Sequence, residues 1–185
     1  MSDTNKIGSF VGTGAILNVD LGFVPAYVEL FNPNDAGSLM PSLTRFSGMA
    51  AASGFKTKSI TDNATTTNKS SEYITANGLS DFLGELPGKA LVGTIAVTAG
   101  LKALVGTSTL FLTDLRVGDV VTLGGNQYTI AGVTTATAAT IVEVAVKTET
   151  VGLMTRVTGR AAGFTLGAET DLNVSGEAVF YAASK

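Results

Sequence analysis

Ser53-Gly54-Phe55-Lys56 fits the S-x-x-K spacing of Ser–Lys acyl enzymes, in which a lysine activates a nucleophilic serine. Those enzymes also need S-D-N and K-T-G elements, and Ser80-Asp81-Phe82 and Lys147-Thr148-Glu149 miss both. Gly12-Thr13-Gly14 opens like a dinucleotide loop, but Leu17 stands at the third glycine and no helix is predicted after it. Residues 84–89 resemble a phosphate loop one residue short, with Ala90 where a Ser or Thr must hold magnesium. Asn32, Asn34 and Gly37 resemble a calcium loop, but Ala36 holds the fifth position and Leu43 replaces the bidentate glutamate. The S-x-x-K match is read as chance, and the other three segments as turns. Arg116-Val117-Gly118-Asp119 precedes an apolar strand. There Gly118 is expected to turn the chain and Asp119 to accept backbone N–H groups, a structural role.

Residue types narrow the chemistry further. The 185 residues include no Cys, His or Trp. Disulfides, Cys/His metal centres and every triad or dyad using His or Cys are therefore excluded. No catalytic, cofactor-binding or metal-ligating residue is assigned, and the expectation is a non-enzymatic chain with no cofactor. The net charge of −3 comes with only scattered cations. Lys56, Lys58 and Lys69 come nearest to a cluster, with Asp62 and Glu72 among them. Phosphate neutralisation needs a basic stripe, so no nucleic-acid partner is expected.

Charged residues make up 15% of the chain, against about 25% in ordinary soluble domains, and mean hydropathy is +0.35. Such a surface belongs in a membrane or under partners. A spanning helix needs roughly 20 apolar residues in a row, and Gly, Thr, Ser or Asn interrupts every run. The first 18 residues contain Lys6 and no continuous apolar stretch of the secretion-signal kind. The expectation is no membrane association and a surface covered by protein.

The elements are strands separated by Gly, Asn and Thr. Ala15, Leu17, Val19 and Leu21 alternate with Ile16, Asn18 and Asp20, a period-two strand. After the turn at Gly22-Phe23-Val24-Pro25, residues 27–32 form a second strand, ended by Asn32-Pro33-Asn34-Asp35. Residues 57–71 are a polar loop or an exposed strand pair. Between 93 and 149 the texture changes to five short strands with tight turns, among them Gly124-Gly125-Asn126. In the last strand Glu177, Val179 and Tyr181 alternate with Ala178, Phe180 and Ala182; apolar residues on both sides predict a central position. The expected fold is all-β. A discontinuous host β-sandwich (1–92 plus 150–185), with the jelly roll as one form, carries an inserted small β-barrel or sandwich module at 93–149. An N-terminal arm of about 1–14, with Ile7, Phe10 and Val11, reads equally as a tether that orders on docking or as a frayed terminus.

Two separated stretches resemble tailed-bacteriophage virion proteins, most of all head decoration (cement) proteins. The first, Leu21-Gly22-Phe23-Val24-Pro25-Ala26-Tyr27-Val28-Glu29-Leu30-Phe31-Asn32, is similar to their opening strand pair, G-F-x-P-x-x-V-x-hydrophobic-x-N. The second runs from Ala162-Gly163-Phe164-Thr165-Leu166-Gly167 through Asp171-Leu172-Asn173-Val174-Ser175-Gly176-Glu177 to Tyr181-Ala182, and resembles their closing strands. Segments of the middle module, such as Thr113-Asp114-Leu115-Arg116-Val117-Gly118-Asp119, are similar to a β module of phage structural proteins. Where family members often carry W-x-x-G-M, this chain has Arg45-Phe46-Ser47-Gly48-Met49 and no Trp. The resemblance implies a homodimer or homotrimer docked on the major capsid protein. The virion capsid's outer surface is the implied location, after synthesis in the host bacterial cytoplasm. With that role, the arm residues Ile7, Phe10 and Val11 become the candidate capsid contacts. The alternative is a tail or fibre component that binds host-surface glycans.

Overall fold

The computed structural model describes residues 4–34, 40–62, 66–151 and 154–185, and only the backbone of 60–62, 66–68 and 151. The chain is all-β, with 55% strand against 2% helix. In order the strands are β1 (Asn5–Val11), β2 (Leu17–Asp20), β3 (Tyr27–Phe31), β4 (Ser42–Phe46), β5 (Ser53–Asp62), β6 (Thr66–Phe82), β7 (Lys89–Leu91), β8 (Thr94–Val97) and β9 (Ala103–Thr107). After the one-turn helix α1 (Phe111–Asp114) come β10 (Val120–Leu123), β11 (Asn126–Thr135), β12 (Ala138–Ile141), β13 (Glu149–Val151), β14 (Met154–Arg156), β15 (Gly163–Leu166) and β16 (Ala178–Ser184). They form two compact units, residues 1–83 with 161–185, and residues 84–160. The second unit is wider than the expected 93–149 module, because β7 and β14 pair inside its sheet (Leu91 opposite Met154) and Glu85 bridges Arg160.

The first unit is one antiparallel sheet in the order β1-β16-β3-β4-β5-β6-β15-β2. Its long strand β6 serves two layers. Residues 66–74 pair with β5, and residues 79–82 pair with β15. Between these stretches Asn77 takes a left-handed φ of 58°, and the sheet folds over. Val28, Leu30, Leu43, Val179 and Ala183 of one layer thus pack on Val19, Leu79, Phe164 and Leu166 of the other. The region read as a polar loop or a strand pair is the strand pair: β5 and β6 form a hairpin that continues past Thr57, the last residue opposite β4.

Polar side chains close one end of this sandwich. Asn32 is fully buried; its Nδ2 donates to the Asp171 carbonyl and to Glu177 Oε2 (both 2.7 Å). Asn173 Nδ2 donates to the carbonyls of Ala15 (2.6 Å) and Gly167 (2.8 Å). The two asparagines thus fix the segment between β15 and β16 to the sheet. Gly163 is required by crowding: a Cβ there would lie 1.8 Å from the Val19 carbonyl oxygen.

The second unit has the order β13-β8-β9-β12-β11-β10-β14-β7, and this sheet nearly closes. Segment 89–97 pairs with segment 149–156 at both ends, Lys89 opposite Arg156 and Val97 opposite Glu149. Because β8 also pairs with β9 and β14 with β10, the sheet curls round into a nearly closed small barrel. Its core is Ile95, Leu104, Phe111, Val121, Leu123, Tyr128, Ile130, Ile141 and Met154. Gly124 and Gly125, at φ 54° and 83°, form the two-residue turn between β10 and β11.

Candidate interaction surface

The sequence motifs with catalytic spacing are occupied by structural bonds. Ser53 is buried, and its Oγ donates to the Ala50 carbonyl at 2.6 Å. Lys56 points to Asp171 at 2.5 Å and to Glu169, which it also contacts closely. The serine and lysine of S-x-x-K are thus engaged apart from each other. Burial pulls the Lys56 pKa down, but its hydrogen bonds to Asp171 and Glu169 outweigh burial and hold it above the ordinary lysine value. Burial likewise pushes the Asp171 carboxyl up, and Lys56 and Lys58 override it to hold Asp171 below the usual carboxylate range. Gly118 has φ 90°, and Asp119 Oδ2 accepts the Arg116 N–H at 2.8 Å, the structural arrangement expected for that turn. Asn34 donates its N–H to Asn32 Oδ1 at 3.0 Å, an Asx turn; Asp35, Ala36 and Gly37 lie outside the described residues. Among the described residues no group of carboxylates could hold a metal ion.

In the second unit, buried cations lie against α1. Arg156 Nη1 and Arg160 Nη2 both donate to the Asp114 carbonyl, at 2.9 and 2.8 Å. Glu85 pairs with Arg156 and with Lys89 (2.6 Å), and Asp119 with Arg160 (2.9 Å). Burial raises the Glu85 pKa, but Lys89 and Arg156 override it and hold it below the ordinary value.

What stands free is a face. On β1, β16, β3, β4, β5 and β6, alternate side chains fill the core and the others point outward. The outward set includes Ile7, Val11, Phe180, Phe31, Phe46, Phe55 and Tyr73, all exposed. Phe180 stands opposite Phe31, Tyr27 opposite Phe46 and Phe55 opposite Tyr73. The last two pairs have ring centroids 5.4 and 5.3 Å apart. Between them lie Ser42, Thr44, Thr57 and Ser71. The charge among these strands is sparse. Glu29 accepts the Tyr27 hydroxyl at 2.7 Å, and Lys69 sits on the hairpin. Partial burial, then the Glu29 hydrogen bond and charge, push the Tyr27 phenol up to about 12. A hollow of about 310 Å³ on this face is lined by Phe31, Met40, Ser42, Thr57, Ser59 and Lys69 among others.

The expected arm is corrected by this geometry. From Asn5 to Val11 it is strand β1, fully registered on β16, because alternation lets it place one apolar side chain in the core. That side chain is Phe10, whose ring stacks on Tyr181 and meets Phe164 edge-on, each at 6.4 Å. Phe10 is therefore partly buried against the core, on the face opposite to Ile7 and Val11, which point outward. Sequence reasoning missed the aromatic face. Its signal was present as strands with apolar residues at both parities.

No protein-family model matches the chain, and no characterised protein or solved structure is significantly similar to it. Among the described residues no helix is long and apolar enough to cross a membrane.

Proposed function

We propose that this chain is a virion structural subunit of a tailed bacteriophage. In this reading it is a non-enzymatic decoration protein that self-associates and docks on the outer surface of the major capsid lattice. One observation carries the docking: the outward aromatic face of the first unit, which almost no charge interrupts. The phage assignment is supported by the two stretches whose motif residues Asn32, Asn173 and Glu177 hold this sandwich together. Covering Phe31, Phe46, Phe55, Tyr73 and Phe180, each about half exposed, removes on the order of 500 Å² of aromatic surface from water. At about 25 cal/mol/Å² that is ~12 kcal/mol gross. Association costs about 4–15 kcal/mol, so single copies bind modestly. Many copies acting across capsomer seams, together with multivalent contact, supply the stability.

The test is saturation binding of labelled protein to purified heads and, separately, to tails of the encoding phage. Docking gives saturation on heads at a copy number that scales with capsomer number, and Phe55→Ser with Phe180→Ser weakens it while the fold persists. Binding to tails alone in few copies, or to cells alone, overturns it. That result favours the second reading, a tail or fibre component binding glycans, for which the hollow beside Phe31 and Met40 is the site.

A further inference from the structure

Two described strands of the first unit leave a long open side: β1, and the 66–74 stretch of β6, which pairs with β5 alone and carries the charges of Lys69 and Glu72. Thr4 O accepts the Lys185 N–H and the Gly12 N–H donates to Glu177 O, both at 2.8 Å. Hydrogen-bonded residues alternate along an antiparallel ladder. The N–H and C=O groups of Lys6, Gly8 and Phe10 therefore face β16, and those of Asn5, Ile7, Ser9 and Val11 face the open side. No described strand pairs with that side. The side chains of the same four residues are exposed, Ile7 at 86%. Monomeric proteins blunt such edges with outward charges, prolines or bulges. Here the outward residues are uncharged, none is proline, and the β1–β16 register runs without a shift. The opposite edge, β2, is four residues long.

We infer that two copies of this chain pair through β1, antiparallel about a two-fold axis at Gly8, as the self-association step of the proposed function, on which the inference rests. In this register Asn5 stands opposite Val11 of the second copy, and Ile7 opposite Ser9. Every open N–H and C=O of the four residues then finds a partner, and the same strand serves both copies, so the interface closes on itself. Charge agrees with it. The lone charged side chain on β1, Lys6, lies on the other face of the strand from Ile7. Lys6 falls opposite Phe10 of the second copy. At about 3.3 Å per residue the two ammonium groups start roughly 13 Å apart, beyond the ~8 Å screening length in physiological salt. A shift of two residues in either direction leaves an outward residue of the strand without a strand partner. The paired sheets also run the aromatic face of one copy on into that of the other.

The test is sedimentation velocity on the full chain across a concentration series, with cross-linking. The wild type is expected to approach twice its 18.8 kDa chain mass as concentration rises. Ser9→Pro deletes an N–H that β16 does not use, and Ile7→Lys adds like charge. Each is expected to weaken dimerisation at least tenfold with unchanged circular dichroism. The chain has no cysteine, so the double variant Ile7→Cys with Ser9→Cys reports the register alone. It forms inter-chain disulfides joining positions 7 and 9, within the ~5.5 Å Cα spacing of such a pair. A monomer at every concentration, a dimer unaffected by both single variants, or a trimer overturns the inference. Head binding is scored separately: a monomer that still saturates heads refutes the β1 dimer and leaves docking intact, while a β1 dimer that ignores heads refutes docking.

Discussion

Replacing Arg156 by alanine tests whether buried charge holds the barrel end together. Arg156 is a fully buried side chain on β14. Its Nε donates to the Thr158 carbonyl and its Nη1 to the Asp114 carbonyl, each at 2.9 Å, and its Nη2 pairs with Glu85. Breaking one side of a buried ion pair costs about 3–5 kcal/mol, because the charge left behind stays desolvated. Here part of the loss is caught. Glu85 keeps Lys89 at 2.6 Å, and the Asp114 carbonyl keeps Arg160 at 2.8 Å. Thr158 loses its donor. The low end, about 3 kcal/mol, follows. With a urea slope of about 2 kcal/mol/M the unfolding midpoint should fall by roughly 1.5 M. Amide exchange at Tyr128 and Ile130, in the core of the same barrel, should accelerate in step. Arg156→Met keeps the packing and removes the bonds, so it should be nearly as unstable as the alanine variant. A midpoint shift below about 0.3 M, or full recovery with methionine, refutes the assignment of that stability to the ion and carbonyl network.

Stability should fall at both ends of the pH scale. Asp171 and Glu85 have folded pKa values below their unfolded ones. Their contribution is present above the ordinary carboxylate value of about 4 and lost as pH falls through the lower folded values. Lys56 and Lys89 have raised folded values, Lys89 because Glu85 and Asp114 override its burial. Their contribution is complete below about pH 10.4 and lost as pH rises above it. Urea midpoints measured from pH 2 to 12 should show both declines, and Asp171→Asn should shrink the acid one. Gly163→Ala should cost at least about 1–3 kcal/mol in a thermal melt, since its new Cβ meets Val19 backbone that cannot step aside. In an ultraviolet titration Tyr27 should ionise near pH 12, and Glu29→Gln should bring it down. Phe55→Ser and Phe180→Ser should each change stability by under about 1 kcal/mol, because both side chains are half in water already.

The all-β class was legible because short alternating runs broken by Gly, Asn and Thr have no helical alternative. The limits of the barrel were not legible. Its closing strands β7 and β14 are three residues each, too short to display a period. Glu85 and Arg160, which fasten the barrel where the chain enters and leaves, show no sign of that pairing in the sequence. The same holds for Lys56, Arg45 and Arg156. A lone cation on a strand says outward, and only the fold shows the carboxylate or carbonyl it meets inside.

Parity divides the residues that sequence reasoning grouped on the arm. Ile7, Phe10 and Val11 were grouped as one contact, yet in a strand positions 7 and 11 share a face and position 10 takes the other. The last strand was read as central because apolar residues occupy both of its sides. β16 does lie between β1 and β3. Only one of its sides is buried, however: Val179 and Ala183 are in the core, while Phe180 stands half exposed opposite Phe31. An apolar pattern at both parities has two causes, a strand buried within its own chain or a strand whose second side is covered by another. In the first unit the core lies on one side of the sheet, and Phe31, Phe46, Phe55, Tyr73 and Phe180 stand on the other, exposed. The second cause is the one the proposed docking supplies, and the low charge of the whole sequence agrees with that proposal.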